Sequence, residues 1–439
     1  MNIKCISIII LCVLFFFPII TSAQVLTGRF SSSFYAWEQQ DTLRSSNLFV
    51  RGFQTAQLNF SKDNVSFQTS FYGSSLLLNS FGDNGIARVS NMFLRWKNIG
   101  GAVDVSLGRV PVFAGVGNGT VDGGLLKARA MNNKLTMVAY GGANVKPELK
   151  SSGFTDLDKN FFLGGQIIGR VLNESRVGIS YMNRNIMRES YLTIRPDSLF
   201  NPMTVLIVPE SKAEQIIGAD ARINESKLVT CYARYDYDMN SKRSLRGQLS
   251  TRWTANEQFA FTADYIYREP RILYNSFLMM FPFSSVKEYE GGVEYTLKSD
   301  LRLYGKYAYV QYTDDKTQRF SLGINTENIS LSYTGTNGYA GEQTSLYGQV
   351  MYPMLERMLI PTVGLSYANY QLDTYASATQ DVFAASLGAV VRSNQSWSAD
   401  MQLQWLNNPV AQNDVRLFGK LSYWFNHTFG QTEGKESAQ

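Results

Sequence analysis

Apolar and polar residues alternate with a period of two along most of this chain. Segment 397–406 shows the pattern clearly, because its large apolar residues share one face and its polar residues share the other: Trp397, Met401, Leu403 and Trp405 against Ser398, Asp400, Gln402 and Gln404. Segments 245–253, 259–268 and 288–297 repeat it. Side chains of a strand point alternately to its two faces, so the pattern predicts strands with one apolar and one polar side.

The same alternation limits how the chain could cross a membrane. After residue 23, no apolar run reaches the roughly 18 residues that a membrane-spanning helix needs. In lipid, a chain without such helices satisfies its backbone only as a closed barrel. Alternation alone does not separate a membrane barrel from a soluble sandwich.

The lengths of segments and connections favour the barrel. We count about 22 candidate strands, within a range of about 20 to 24, mostly near the length that a tilted membrane strand needs. Short connections of about 3 residues alternate with long ones of about 11, as periplasmic turns and extracellular loops do. The long set includes 111–123, 185–213 and 270–286. Most prolines fall in the long connections, and Pro361 lies inside a predicted strand, where we expect a bulge or a later strand start.

The chain is expected to divide into three parts. Residues 1–23 predict a cleaved secretory signal, with Lys4, an apolar core at 6–20 and small residues at 21–23. Residues 24–429 form the barrel, and 430–439 form a polar tail. Once the signal has left, Cys231 stands alone and is interpreted as a small hydrophobic residue.

Together these features resemble the porin-like β-barrels of Gram-negative outer membranes. The last predicted strand adds to the resemblance, because it is rich in large apolar and aromatic residues: Leu417, Leu421, Tyr423, Trp424, Phe425 and Phe429. The resemblance is architectural and names no single family. It implies an all-β, up-and-down transmembrane barrel in the bacterial outer membrane, with lipid around it and small hydrophilic solutes inside.

The residues that enzymes and metal sites need are largely missing. His427 is the only histidine, and no enzymatic activity, metal or cofactor is expected. Gly115, Gly117 and Gly119 superficially resemble a phosphate loop, but no Lys-Ser/Thr pair follows, so turns with positive φ explain them better. No nucleic-acid partner is expected.

The polar face predicts a basic lumen. The net charge is only +5, from 41 basic and 36 acidic residues. On the predicted polar face, basic residues outnumber acidic ones by more than two to one. The basic positions are Arg29, Arg51, Lys127, Arg129, Arg170, Arg176, Arg184, Arg222, Arg234, Arg246, Arg252, Arg268, Arg302, Lys306, Arg319, Arg392, Arg416 and Lys420. The acidic positions are Asp104, Asp220, Asp236, Asp264, Glu288, Glu290, Glu294 and Asp400.

Such a lining predicts a mild anion preference, because a charged channel with low-dielectric walls focuses the field. The alternative is that basic and acidic residues only neutralise each other across the wall, as we expect for Glu288, Glu290 and Glu294.

Two functions remain open. One is a channel for passive diffusion of small hydrophilic solutes, and the other is a non-transporting barrel that acts as an envelope scaffold or binds a protein at its lumen or outer loops. The lumen could be open, narrowed by infolded loops or filled by a partner. The candidates for narrowing are 185–213 and 270–286. The second contains apolar residues suited to constriction or to contact with a partner: Phe277, Met279, Met280, Phe281 and Phe283.

Overall fold

The computed structural model describes residues 24–40, 46–78, 85–145, 157–172, 174–186, 190–196, 198–207, 213–224, 228–271, 285–298, 300–338, 341–371, 379–393, 396–409 and 413–429. The predicted signal, the predicted tail and the apolar residues Phe277, Met279, Met280, Phe281 and Phe283 lie outside these ranges. In the ranges given, no helix has the length and hydropathy of a membrane span.

The described residues form 24 strands. In chain order these are β1 (Gln24–Gln40), β2 (Ser46–Lys62), β3 (Val65–Leu78), β4 (Ile86–Ile99), β5 (Val103–Ala114), β6 (Gly117–Ala130), β7 (Leu135–Asn144), β8 (Phe161–Arg170), β9 (Arg176–Asn185), β10 (Tyr191–Pro196), β11 (Pro202–Ile207), β12 (Glu214–Ile223), β13 (Val229–Asp238), β14 (Arg243–Thr254), β15 (Phe259–Arg268), β16 (Val286–Lys298), β17 (Leu301–Gln311), β18 (Lys316–Asn325), β19 (Ile329–Gly338), β20 (Glu342–Met351), β21 (Leu359–Gln371), β22 (Gln380–Arg392), β23 (Trp397–Asn407) and β24 (Asp414–Phe429).

Twenty-two of these strands form one closed antiparallel sheet, which confirms the predicted up-and-down barrel. Each barrel strand pairs with the next along the chain, β9 pairs with β12, and β24 pairs back to β1 from Gln24↔Phe429 to Trp37↔Arg416. Asparagine and aspartate tolerate the left-handed conformation that tight turns need, and Asp63, Asn132 and Asn133 adopt it in the short connections.

The two faces of the barrel differ as the alternation predicts. Large apolar side chains such as Leu107, Ile179, Leu387 and Met401 stand exposed on the outer face. Residues that pair directly across neighbouring strands point to the same face, so the register assigns each residue of the ring to the inner or the outer face. An exposed apolar band with a polar interior is the pattern of a barrel surrounded by lipid.

Two long connections differ from the prediction. Segment 111–123, expected as a loop, is strand on both sides of a two-residue turn at Gly115 and Val116. Pro111 is accommodated because β4 pairs with β5 only as far as Arg109, so no neighbouring strand needs its missing N–H. Segment 185–213 contains β10 and β11, which form a separate two-stranded sheet.

Pro361 lies within β21, and pairing of β21 with β20 reaches only to Thr362. The strand itself begins before the proline, and its pairing with β22 runs through Pro361↔Ala389 without a shift, so the expected bulge or later strand start is wrong.

Candidate functional site

The tip of the β5–β6 hairpin leaves the wall and enters the barrel. Pairing with β4 ends at Met92↔Arg109, and pairing with β7 begins at Val121↔Asn144. Between these points, β5 and β6 pair with each other and with no other strand; we call residues 110–120 the infolded hairpin. The Val116 N–H donates to Ser180 Oγ of β9 at 3.0 Å, and Arg234 Nη2 of β13 donates to the Gly115 carbonyl at 3.4 Å. The tip thus reaches past β7 and β8.

Apolar packing holds the infolded hairpin against the inner wall. Val112 is 0% exposed and packs in one cluster with residues of the wall, among them Phe162, also 0% exposed, and Met182. Full burial of one such side chain contributes about 1.5–3 kcal/mol. The hairpin is therefore a packed part of the barrel interior.

Glycines permit this close packing, in two different ways. Gly115 has a φ of 62°, as expected for a turn, and a Cβ there would lie 2.1 Å from Ser180 Oγ. Gly117 does not have positive φ; a Cβ there would lie 2.0 Å from the Tyr140 hydroxyl oxygen. The turn explanation is right for Gly115, whereas Gly117 serves close approach to the wall.

An ion pair marks the point where the hairpin leaves the wall. Arg109 donates through Nε and Nη2 to the two Asp122 oxygens at 2.8 and 2.9 Å, and through Nη1 to the Val89 carbonyl at 2.9 Å. Both side chains are largely buried. Bidentate pairs of this kind are strong and geometrically specific. Arg109 therefore joins β4, β5 and β6 where their regular pairing stops.

The acidic residues of the inner face are largely neutralised. Glu294 accepts from Arg252 at 2.7 Å, and Glu290 accepts from Lys306 at 2.8 Å. Arg319 bonds both Glu288 and Glu290. These contacts match the neutralisation expected for the three glutamates.

Asp104 is neutralised in the same way. Arg95 and Arg129 both bond its Oδ2, and the Asn98 N–H donates to its Oδ1. Arg95 did not enter the predicted lining, although its alternation with Leu94 and Trp96 carried the necessary signal.

Six arginines form a continuous row of neighbours on the inner face, which we call the arginine track: Arg268, Arg246, Arg234, Arg222, Arg176 and Arg170. Arg246 lies directly opposite Arg268, and Arg176 lies directly opposite both Arg222 and Arg170. Arg234 is the diagonal neighbour of Arg246 on one side and of Arg222 on the other, since Asp236 pairs with Arg246 and Asp220 with Arg234.

The arginine track carries excess positive charge. Arg234 bonds Asp236 at 3.0 Å, and the other five arginines form no ion pair with a described carboxylate. Asp220, directly opposite Arg234, is another acidic residue within the row. Like charges directly opposite each other on a sheet are destabilising, so this arrangement needs a reason other than stability.

The register places every predicted lining residue on the inner face, together with Glu214 and Asp414, which the prediction missed. It brings the six arginines of the track into one row, and it places Arg29, Arg51, Arg416, Lys420 and Asp400 on the other side of the ring. Among the described residues, no group of three or more histidine, cysteine or acidic side chains is placed to hold a metal ion.

The fold and this site define an up-and-down barrel of 22 strands, with the infolded hairpin packed inside it and the arginine track along its inner wall. No protein-family model matches the chain, and no curated protein matches it. Among solved structures, it is similar to OccAB4 of Acinetobacter baumannii, with 8% identity over 92% of this chain and 98% of that one and a TM-score of 0.45. It is also similar to the PapC translocation pore of the P pilus usher, with 7% identity, coverages of 91% and 99%, and a TM-score of 0.45. It is similar as well to OpdQ of Pseudomonas aeruginosa, with 11% identity over 92% of this chain and 98% of that one and a TM-score of 0.40.

Proposed function

We propose that this protein is a bacterial outer-membrane channel for passive diffusion of small hydrophilic solutes, with a mild preference for anions. Residues 1–23 serve in this proposal as the cleaved export signal. The closed barrel and its exposed apolar outer band support the membrane location.

The arginine track is the observation that carries the anion preference. Most inner-face acids are held by basic partners, whereas five of the six track arginines have no described acidic partner. The track runs from Arg268, at the long-connection end, to Arg170, at the short-turn end. A row of uncompensated positive charge along a channel wall raises the local concentration of anions.

The test is the reversal potential of the purified, refolded barrel in a planar bilayer under asymmetric KCl. We expect a stable pore whose reversal potential favours chloride. In Arg246→Glu, which places a negative charge in the middle of the row, we expect the potential to move toward the cation side.

Arg357→Gln is the matched control. Arg357 is exposed in the connection between β20 and β21 and pairs with Glu327, outside the lumen. Removing its charge should leave the reversal potential unchanged. A wild-type pore that prefers potassium, or equal shifts in the two variants, would contradict the proposed selectivity; a folded barrel that never conducts would overturn the channel.

A second function, partner binding, is favoured by the outer hairpin of β10 and β11. Its strands pair only with each other, and Ile194 and Phe200 are 71% and 87% exposed. Apolar side chains this exposed are typical of interaction surfaces. If a stoichiometric partner co-purifies with the intact protein and is lost on deletion of residues 191–207, while the isolated barrel does not conduct, partner binding becomes the function.

A further inference from the structure

The inner face carries an aromatic surface on the side of the ring away from the arginine track. Six partly buried aromatic side chains on β24, β1, β2 and β3 make up this surface, which we call the aromatic patch: Tyr35, Trp37, Phe49, Phe53, Tyr72 and Phe418. The inner face of a water-filled barrel is normally polar. Departures from the sequence pattern concentrate at functional sites, so the patch requires an explanation.

The rings of the patch are arranged as a surface. The Tyr35 and Trp37 rings are stacked with centroids 5.4 Å apart, and the Trp37 and Phe49 rings are stacked at 5.6 Å. Phe418 lies directly opposite Tyr35 across the β1–β24 seam. Unlike Phe93, Tyr140 and Phe162, which are buried in the cluster beneath the infolded hairpin, these side chains keep part of their surface open.

Donors and acceptors lie beside the rings along β24. Arg416, directly opposite Trp37, bonds Asp414 at 2.6 Å, and Lys420 lies 3.8 Å from Asp400. Asp414 is 4% exposed, yet its Oδ1 is buried without a hydrogen-bond partner. The accessible polar groups beside the rings are therefore those of the two ion pairs, in which Arg416 and Lys420 are donors and Asp400 is an acceptor.

We infer that the aromatic patch is a binding site for saccharides within the channel. A sugar ring has apolar C–H faces, which pack on aromatic rings, and a rim of hydroxyls, which both donate and accept. The pairs Arg416–Asp414 and Lys420–Asp400 place donors and acceptors beside the rings with their charges balanced, which suits a neutral molecule rich in hydroxyls. The inference rests on the proposed channel function and adds a second solute class to it.

The experiment measures block of the ion current in planar bilayers by maltotriose, cellobiose and sucrose. We expect a saturable, concentration-dependent block by at least one of them, and none by a polyethylene glycol of similar size. Trp37→Ala should weaken that block about tenfold, the upper end of the range for one aromatic contact, and Trp37→Phe should restore most of it.

Trp96→Ala is the matched control, because Trp96 stands 53% exposed on the outer face, where no solute in the lumen touches it. It should leave the block unchanged. Heat modifiability on gels shows whether each variant is folded.

The outcomes separate this inference from the channel itself. If the pore conducts but none of the three sugars blocks it, or Trp37→Ala does not weaken the block, the inference is wrong and the channel stands. If benzoate blocks in a Trp37-dependent manner and the sugars do not, the patch binds aromatic anions and the inference is again wrong. If the barrel is silent, equilibrium dialysis of the three sugars decides: Trp37-dependent binding supports the inference, and its absence overturns it.

Discussion

Arg109 is the residue on which the path of the infolded hairpin depends most directly. Its three hydrogen bonds join the Val89 carbonyl and both Asp122 oxygens at the last register pair of β4 with β5. Gly108, beside it, has a φ of 124°, and a Cβ there would lie 2.4 Å from the Met92 carbonyl oxygen. A left-handed glycine and a bidentate arginine together turn the chain away from the wall.

Arg109→Ala should therefore loosen the hairpin without removing it. The substitution leaves the largely buried Asp122 carboxylate without its partner, at a cost of about 3 kcal/mol or more. We expect increased open-channel current noise and a lower temperature of heat-induced unfolding. Arg252→Ala is the control, since Arg252 is more exposed and pairs with Glu294 on a regular wall strand. Equal noise in the two variants and the wild type would show that Arg109 does not hold the hairpin.

At the level of single residues, alternation predicts the face of a side chain but not its neighbours. Arg246 and Arg268 are both predicted for the polar face, yet their direct opposition depends on the offset between β14 and β15. The position of Arg234 relative to Arg246 depends in the same way on the register of β13 with β14, which shifts at a bulge between Asp236 and Tyr237. The excess charge of the lining was therefore predictable, whereas its concentration in one row was not.

The infolded hairpin is the element that departs most from the sequence prediction. Pro111 and the glycines from Gly115 onward indicate a loop, and in most sheets they would form one. Val110, Val112 and Ala114 nevertheless alternate with more polar or exposed positions, and their buried face meets wall residues far along the chain. Alternation predicts that a segment forms a strand, but it does not predict whether that strand pairs with one neighbouring strand or with two.

Shortening this hairpin should widen the channel. Val110 and Val121 are opposite each other, so residues 111–120 can be replaced by Asn-Gly, which favours a tight two-residue turn. We expect single-channel conductance to rise by about twofold or more, because the replacement removes material from inside the lumen. Stability should fall, because Tyr140, Phe162 and Met182 lose their apolar cover.

Deletion of residues 191–207 is the control for this change. It removes the β10–β11 hairpin, which pairs with no barrel strand. Conductance should then stay near the wild-type value. If the two deletions change conductance alike, or neither changes it, the infolded hairpin does not limit the current.

The architecture of the whole barrel was the most predictable level. Each strand carries the same two-sided pattern, so the errors in single boundaries cancel and the count of 22 in the closed sheet agrees with the sequence. The closing pair of β24 with β1 has no local signal in the sequence; it follows only because open edges are not tolerated in lipid.

Selectivity that arises from the lining as a whole should depend on ionic strength. The Debye length falls from about 10 Å at 0.1 M to about 3 Å at 1 M salt, so solute ions in the middle of the lumen are screened from the arginine track at high salt. We expect the chloride-to-potassium permeability ratio to be largest in dilute KCl and to approach one near molar concentrations. Reversal potentials at a constant gradient and increasing mean concentration measure this. A permeability ratio that does not change with salt concentration would contradict this prediction. It would indicate that selectivity arises where ions contact the channel wall directly.

The seam between β1 and β24 also sets an order of events in assembly. All other neighbouring barrel strands are joined by local connections, but this pair joins segments almost 400 residues apart, with Ser31 opposite Ser422. Closing so large a loop costs more entropy than forming any hairpin, and its contacts appear only after both ends exist. We therefore expect this seam to close last, and until it does the edges of β1 and β24 are open to pairing with other chains.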